Sequence, residues 1–217
     1  MSPEIIRLIA QSTLDTLAMV AVAAGLGTVF GLPLGVLLYL TGQGRLSQNR
    51  VANVVLGVIV NILRSVPFII LLIVMIPLTV MLVGTSLGVA GAIPPLVVGA
   101  APFYARLVEG SLKEVDRTTI EAVQAMGATT RQIVTGALIP EALPGLIAGA
   151  TVTAVALVSF TAMAGVVGAG GLGDLAIRFG YQRFQTDVMV VTVVLLVVLV
   201  QIIQYAGDAL ARHFTRR

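Results

Sequence analysis

Charged residues are missing from four long stretches of this chain, 16–44, 65–105, 142–173 and 188–207. Roughly 20 apolar helical residues cross the ~30 Å hydrocarbon layer of a bilayer. Each stretch is therefore long enough to span a membrane, and 65–105 is long enough to do so twice. Asp, Glu, Lys and Arg make up only 11% of the residues, against about a quarter in soluble proteins. With 58% hydrophobic residues and a mean hydropathy of +1.04, a soluble fold could not cover its surface. Pro77 and the "VGTSLG" at 83–88 supply a tight connection inside the longest run. The sequence thus predicts an all-α membrane protein, one transmembrane domain over 1–217, with five spans at about 16–40, 54–80, 87–105, 143–165 and 188–207.

The first apolar run exceeds the 7–15 residues of a signal-peptide core, follows Asp15, and is followed by no persuasive small-residue cleavage site. It reads as a retained helix. Cysteine is absent, which removes disulfides and thiolate chemistry.

Orientation follows from Lys and Arg in the short loops. If the C-terminus is cytoplasmic, the inner side holds Arg45, Arg50, Arg106, Lys113, Arg117, Arg131, Arg212, Arg216 and Arg217. The outer side then holds only Arg7, Arg178 and Arg183, with Arg64 set aside as intramembrane. The expected arrangement is an outer, periplasmic N-terminus and a cytoplasmic C-terminus. The basic flanks account for the pI near 9.8 without a nucleic-acid surface.

Residues 106–141 stand apart, carrying Arg106, Glu109, Lys113, Glu114, Asp116, Arg117, Glu121, Arg131 and Glu141 between two uncharged runs. Thr118 followed three residues later by Glu121 has the spacing of a capping box. "IEAVQAM" then predicts a short helix closed by Gly127 in a left-handed conformation. Thr129 or Thr130 caps a second helix, "RQIVTGAL", that must stop near Pro140. Ile120, Val123 and Met126 recur by three along the first helix. A two-turn helix is marginal alone in water, so this face packs either on the protein's own spans or in a groove of another protein.

Glu121-Ala122-Val123, then Gly127, then "ALIP" at 137–140 resemble the coupling motif of ABC importer permeases, E-A-A-x3-G-x9-I-x-L-P. Val123, Ala137 and Ile139 replace the motif's second alanine, its isoleucine and its leucine, and all three keep apolar character. "NILRSVPFIILLIVMIPLT", "GAAPFYARLVEGSL", "EAVQAMGAT" and "AMAGVVGAGGLG" are similar to the methionine-importer branch of that family. The resemblance implies a permease subunit of an ATP-driven importer for D- or L-methionine, with another amino acid or small solute as the alternative. It implies a homodimer in the inner membrane, two cytoplasmic ATPase subunits that bind the ATP and Mg, and a periplasmic or lipid-anchored substrate-binding protein. This subunit would hold no cofactor and hydrolyse nothing. Residues 118–130, with Glu121, Ala122, Val123, Gly127, Ala128 and Thr129, would be the coupling helix between spans three and four, and Pro140 would begin the climb back into the membrane.

"GAGGLG" at 168–173 lacks the Lys-Ser/Thr of a phosphate loop and follows an apolar run. Its glycines point to close helix packing or to a break at the outer end of span four. In the family reading Gly168, Gly170 and Gly171 lie beside the translocation pathway and Met163 is a candidate gate, with core filler as the plain alternative. Arg64 is the one charge inside a predicted span, with Asn61 one turn earlier and Ser65 beside it. It is a pathway candidate, or it snorkels from the cytoplasmic end of span two. No nucleophile–base arrangement, carboxylate pair or metal-ligand set is proposed. An ion-coupled carrier is the rival class, but it needs membrane-buried carboxylates or histidines, and spans two to five contain no Asp or Glu.

Overall fold

The computed structural model describes residues 3–215, and among these residues every regular element is helical. Arg216 and Arg217, counted above on the inner side, lie outside the described residues. Helix α1 (Pro3–Thr41), helix α5 (Gly88–Lys113), the continuous rod Thr130–Gly165 and helix α10 (Thr186–Phe214) are each long and apolar enough to cross a membrane. The second predicted span, 54–80, is not one rod. It comprises α2 (Arg50–Ser65), α3 (Phe68–Val74) and α4 (Ile76–Val83), and α2 and α3 meet at 102°.

Pro67 explains that bend. It has no N–H for the helical ladder, and its ring pushes the preceding residue out of the helical region. Val66 accordingly sits at φ −74°, ψ 123°. The second break behaves as the sequence predicts, with Pro77 in the first turn of α4 and Gly84 closing that helix at φ 80°. Span three, expected to stop at 105, continues to Lys113. The charges of its last two turns pair with one another and so stay within the helix.

Tight backbone approach organises the centre. A Cβ added at Gly31 of α1 would lie 2.7 Å from the Ala101 carbonyl oxygen of α5, and one at Gly35 would lie 2.5 Å from Val108 Cβ. Gly27, Gly31 and Gly35 recur by four, the small-residue spacing that lets two membrane helices touch by their backbones. Two apolar clusters flank this seam. One gathers Met19, Leu96, Ala100, Leu157 and Val158 with Phe68 and Leu72. The other gathers Tyr39, Tyr104, Val108, Leu112, Leu138 and Leu146 at the opposite end of the same helices. Threonines buried in the rods return their hydroxyls to their own helix, as Thr153 Oγ1 does to the Gly149 carbonyl at 2.8 Å.

Gly31→Leu should force α1 and α5 apart, and overpacking of this kind costs about 1–3 kcal/mol. Gly25, around which nothing lies within 4 Å, provides the control. Thermal unfolding of the detergent-solubilised protein should show a lowered midpoint for Gly31→Leu and little change for Gly25→Leu.

Candidate functional site

The charged segment folds as two short helices. Helix α6 (Arg117–Ala125) starts three residues after the α5 C-cap Glu114, and its N-cap is Asp116, whose carboxylate accepts the Thr118 N–H at 2.8 Å. The backbone N–H of Thr118 holds the Asp116 carboxyl below the usual carboxylate range. The cap is therefore present above that range and is lost only as pH falls through the depressed value. The capping box expected from Thr118 to Glu121 does not form. Asp116 takes the cap position, which leaves Thr118 inside the first turn and turns Glu121 toward Arg117 at 2.7 Å. That ion pair is exposed on both sides and contributes little to stability.

The three apolar residues of α6 part company. Ile120 is buried and Val123 half-buried against Tyr39, Leu112, Val115 and Ile133, so for these two the face packs on the protein's own spans. Met126 points away and is 77% exposed. Glu121, Ala122, Gln124, Ala125 and Gly127 are exposed with it, whereas Ala128 packs on the cluster of Tyr39, Leu112 and Leu138. Small side chains beside one long thioether thus form the outward surface of α6.

Gly127 closes the helix at φ 80°, as expected, and its N–H donates to the Gln124 carbonyl at 3.0 Å. No atom lies within 4 Å of the place its Cβ would occupy, so backbone conformation alone selects glycine here. Thr129 caps the next helix, α7 (Thr130–Ile133), in a reciprocal box with Gln132. This helix does not stop at Pro140. A π turn over Val134–Leu138 directs the Ile139 N–H to the Val134 carbonyl and leads into α8 (Ile139–Gly165), with Pro140 in its first turn. The wider turn accommodates a residue without an N–H, so α7 and α8 form one rod.

The pathway candidates do not form a single cluster. Met163 is 45% exposed and lines an apolar groove of about 570 Å3 with Val158, Val166, Leu196 and Val200. Gly168, Gly170 and Gly171 all have positive φ and fold the chain back onto α1. There the Leu172 N–H donates to Thr16 Oγ1 at 2.9 Å and the Gly88 N–H donates to the Gly168 carbonyl at 2.9 Å. Gly165 and Gly173 supply the close approach: a Cβ on Gly173 would lie 2.3 Å from Ala162 Cα. The "GAGGLG" stretch thus serves both packing and a break, followed by the short α9 (Gly171–Leu175).

Asn61, Arg64 and Ser65 share the last two turns of α2. Asn61 Oδ1 accepts from Arg106 Nη2 at 2.8 Å, and Ser65 Oγ donates to the Asn61 carbonyl at 2.7 Å. Arg64 lies at the end of α2 remote from its start at Arg50, with its guanidinium 5.8 Å from the centre of the Phe103 ring. The longer α5 also corrects the expectation of spans without carboxylates. Glu109 is buried, and both its oxygens are held at 2.6 Å, one by Arg106 and one by Lys113. Arg106 also reaches the Gly57 carbonyl at 3.1 Å and so ties α5 to α2. The i, i+3, i+7 spacing of Arg106, Glu109 and Lys113 carries this signal in a segment, 106–141, that the sequence places outside the spans.

A family described as the inner membrane component of binding-protein-dependent transport systems matches residues 27–217. The D-methionine transport system permease protein MetI of Escherichia coli K12 is 51% identical over 217 residues, covering all of both chains. The probable D-methionine permease MetI of Vibrio cholerae is 51% identical over 210 residues, 97% of this chain and 93% of that one. A chain of the inward-facing MetNI methionine ABC transporter superposes over the full length of both chains with a TM-score of 0.98 at 51% identity.

Because Ile120 anchors α6, Ile120→Ala should cost about 2–5 kcal/mol at this junction. Hydrogen exchange of the Ala122–Met126 amides should accelerate, whereas Met126→Ala, which removes an exposed side chain, should leave those amides as protected as before.

Proposed function

The chain belongs to the family of inner membrane components of binding-protein-dependent transport systems, and from that premise we propose that it is the permease subunit of an ATP-driven importer for methionine. The observation that carries this reading is α6. A two-turn helix is anchored by Ile120 and Val123 and presents Glu121, Ala122, Ala125 and Met126 outward, at the positions where the coupling motif falls. A cytoplasmic ATPase subunit is the natural partner for that surface, since this chain offers no phosphate loop of its own. Its hydrolysis of Mg-bound ATP would supply the energy, and an external binding protein would deliver the substrate.

Transmission follows from continuity. Glu121 and Gly127 sit on the element the ATPase would move. Val123 and Ala128 pack on the cluster of Tyr39, Leu112 and Leu138, Thr129 caps the rod that follows, and that rod runs through Pro140 to Gly165 near Met163. A push at one end would therefore reach the far end with few soft joints between. Two copies around a shared axis would enclose the pathway, because these helices leave wide apolar faces uncovered in one copy. Methionine as the substrate is supported by the relatives at 51% identity over the whole chain. The topology supported by the Lys and Arg count has the N-terminus periplasmic and the C-terminus cytoplasmic, in the inner membrane. The paired state of Glu109 counts against an ion-coupled carrier, since both its oxygens already hold cations.

Reconstitution with the ATPase and binding protein tests the reading. Methionine uptake should require ATP and proceed without an ion gradient, and the complex should contain two copies of this chain. Gly127→Val forces a β-branched residue to φ 80°, at about 1–2 kcal/mol or more. It should insert normally yet lose ATPase association or separate hydrolysis from uptake. Glu121→Lys should do the same more mildly by reversing a charge near the positive helix end. Met163→Ala should raise leakage or uncoupled hydrolysis in an assembled complex, and unchanged leakage would make it core filler.

A further inference from the structure

Between α6 and the loop 42–49 that joins α1 to α2 lies a cavity of about 200 Å3, lined by Tyr39, Arg45, Arg117, Ile120, Glu121 and Gln124 among others. One water takes up roughly 30 Å3 in the liquid, so the space admits the end of one side chain. Two guanidiniums and one carboxylate line it, which leaves one positive charge unmatched. Arg117 gives its Nε to Glu121 at 2.7 Å, and its two terminal nitrogens stay outside that bond. Among the described residues the ion pairs join Arg106, Lys113, Arg117 and Arg178 to carboxylates, and Arg45 is in none of them.

Arg45 is nevertheless held in place. Its Nη1 donates to the Tyr39 hydroxyl at 2.8 Å, its guanidinium lies 4.4 Å over that ring, and Tyr39 itself is buried. The loop is closed on itself and on α1: the Gly44 N–H donates to Gln48 Oε1 at 3.1 Å, the Ser47 N–H to the Leu40 carbonyl at 3.2 Å and the Asn49 N–H to the Thr41 carbonyl at 3.0 Å. Tyr39 belongs to the cluster that also takes Ile120 of α6. The two cations therefore stand on one base, on either side of the opening. A planar guanidinium fixed in advance loses little freedom when a carboxylate binds it.

Helix α6 is too small to hold a partner alone. Its 9 residues extend about 14 Å, whereas a stable interface buries about 800 Å2 on each side. The contact has to spread to neighbouring surface, and the loop 42–49 is the surface that meets α6 across the cavity. Glu121 and Gln124 belong both to the cavity and to the outward surface of α6. We infer that the ATPase subunit binds α6 and the α1–α2 loop together, with one of its carboxylate side chains in the cavity between Arg45 and Arg117. The inference rests on the importer reading and adds to it a second docking element and the charge of the group that this element receives.

The test measures binding of the purified ATPase subunit to the detergent-solubilised permease. Arg45→Gln and Arg117→Gln should each raise the dissociation constant about tenfold, with Arg45→Lys in between, because an ammonium keeps the charge but lacks the planar fork. Parental affinity should fall with added salt, and that of Arg45→Gln should fall less steeply. Tyr39→Phe, which deletes the hydroxyl that holds Arg45, should lose less than Arg45→Gln. Arg50→Gln, which removes the next cation along the chain, outside the cavity, should bind like the parent. Changing the acidic residues of the ATPase to lysine one at a time should identify a position at which binding to the parent is lost and binding to Arg45→Glu is regained. Parental affinity and salt dependence in both Arg45→Gln and Arg117→Gln would overturn the site while sparing the importer reading. Loss of bound anionic phospholipid from Arg45→Gln with unchanged ATPase affinity would assign the cavity to a lipid headgroup and overturn it as well. If the parent retains no ATPase at all, the reading beneath the site falls with it.

Discussion

The placement of α6 depends on the apolar cluster in which Tyr39, Tyr104, Val108 and Leu112 meet Ile120, Ile133 and Leu138. It joins a segment too short to be helical by itself to three long helices, so that α6 has a fixed orientation relative to the spans. Tyr104 strengthens the junction by donating its buried hydroxyl to the Leu146 carbonyl at 3.1 Å, which binds α5 to α8. Tyr39 extends it to the α1–α2 loop through Arg45, whose guanidinium lies 4.4 Å over its ring and donates to its hydroxyl at 2.8 Å. An outward surface built on such a base moves with the helices behind it.

Where the helices break is as consequential as where they run straight. The two prolines at 67 and 140 have opposite outcomes, although both lack the N–H and crowd the preceding turn. At Pro67 the chain bends by 102° just after Arg64. At Pro140 a π turn over Val134–Leu138 takes up the extra residue and the rod continues. The first proline turns the chain, and the second preserves a mechanical connection. Glycine does related work at the far end, where Gly165 and Gly173 let α9 lie against α8 backbone to backbone.

The charge network on α5 sets a limit on how α2 and α5 can rearrange. Glu109 is held by Arg106 and Lys113, while Arg106 also binds Asn61 and Gly57 of α2. A buried carboxylate that lost one of these cations would be left with uncompensated charge, a large penalty. Movement of α2 relative to α5 therefore has to carry this cluster along or exchange its partners. Asn61 is bound into this cluster, whereas Arg64, one turn further on, lies over the Phe103 ring.

Much of this was legible in the sequence. Charge-free runs fixed the long helices because hydrocarbon tolerates neither free charge nor unpaired backbone. Gly127, Thr129 and Gly84 could be assigned to helix ends because left-handed closure and side-chain capping are local chemistry. Three things were not local. Whether Thr118 or Asp116 caps α6 depended on where α5 let go, since both can accept an N–H. Whether Ile120 or Met126 faced the protein depended on how α6 was laid against Tyr39 and Leu112, which a spacing of three leaves open. Whether Pro67 or Pro140 broke its helix depended on neighbours in space, because a proline states only that one hydrogen bond is missing. The sequence by itself determined which segments had to leave water and where backbone donors would run out. The tertiary structure alone decided which of those gaps stayed open, because only packing between distant helices settles whether a missing bond becomes a bend or is absorbed.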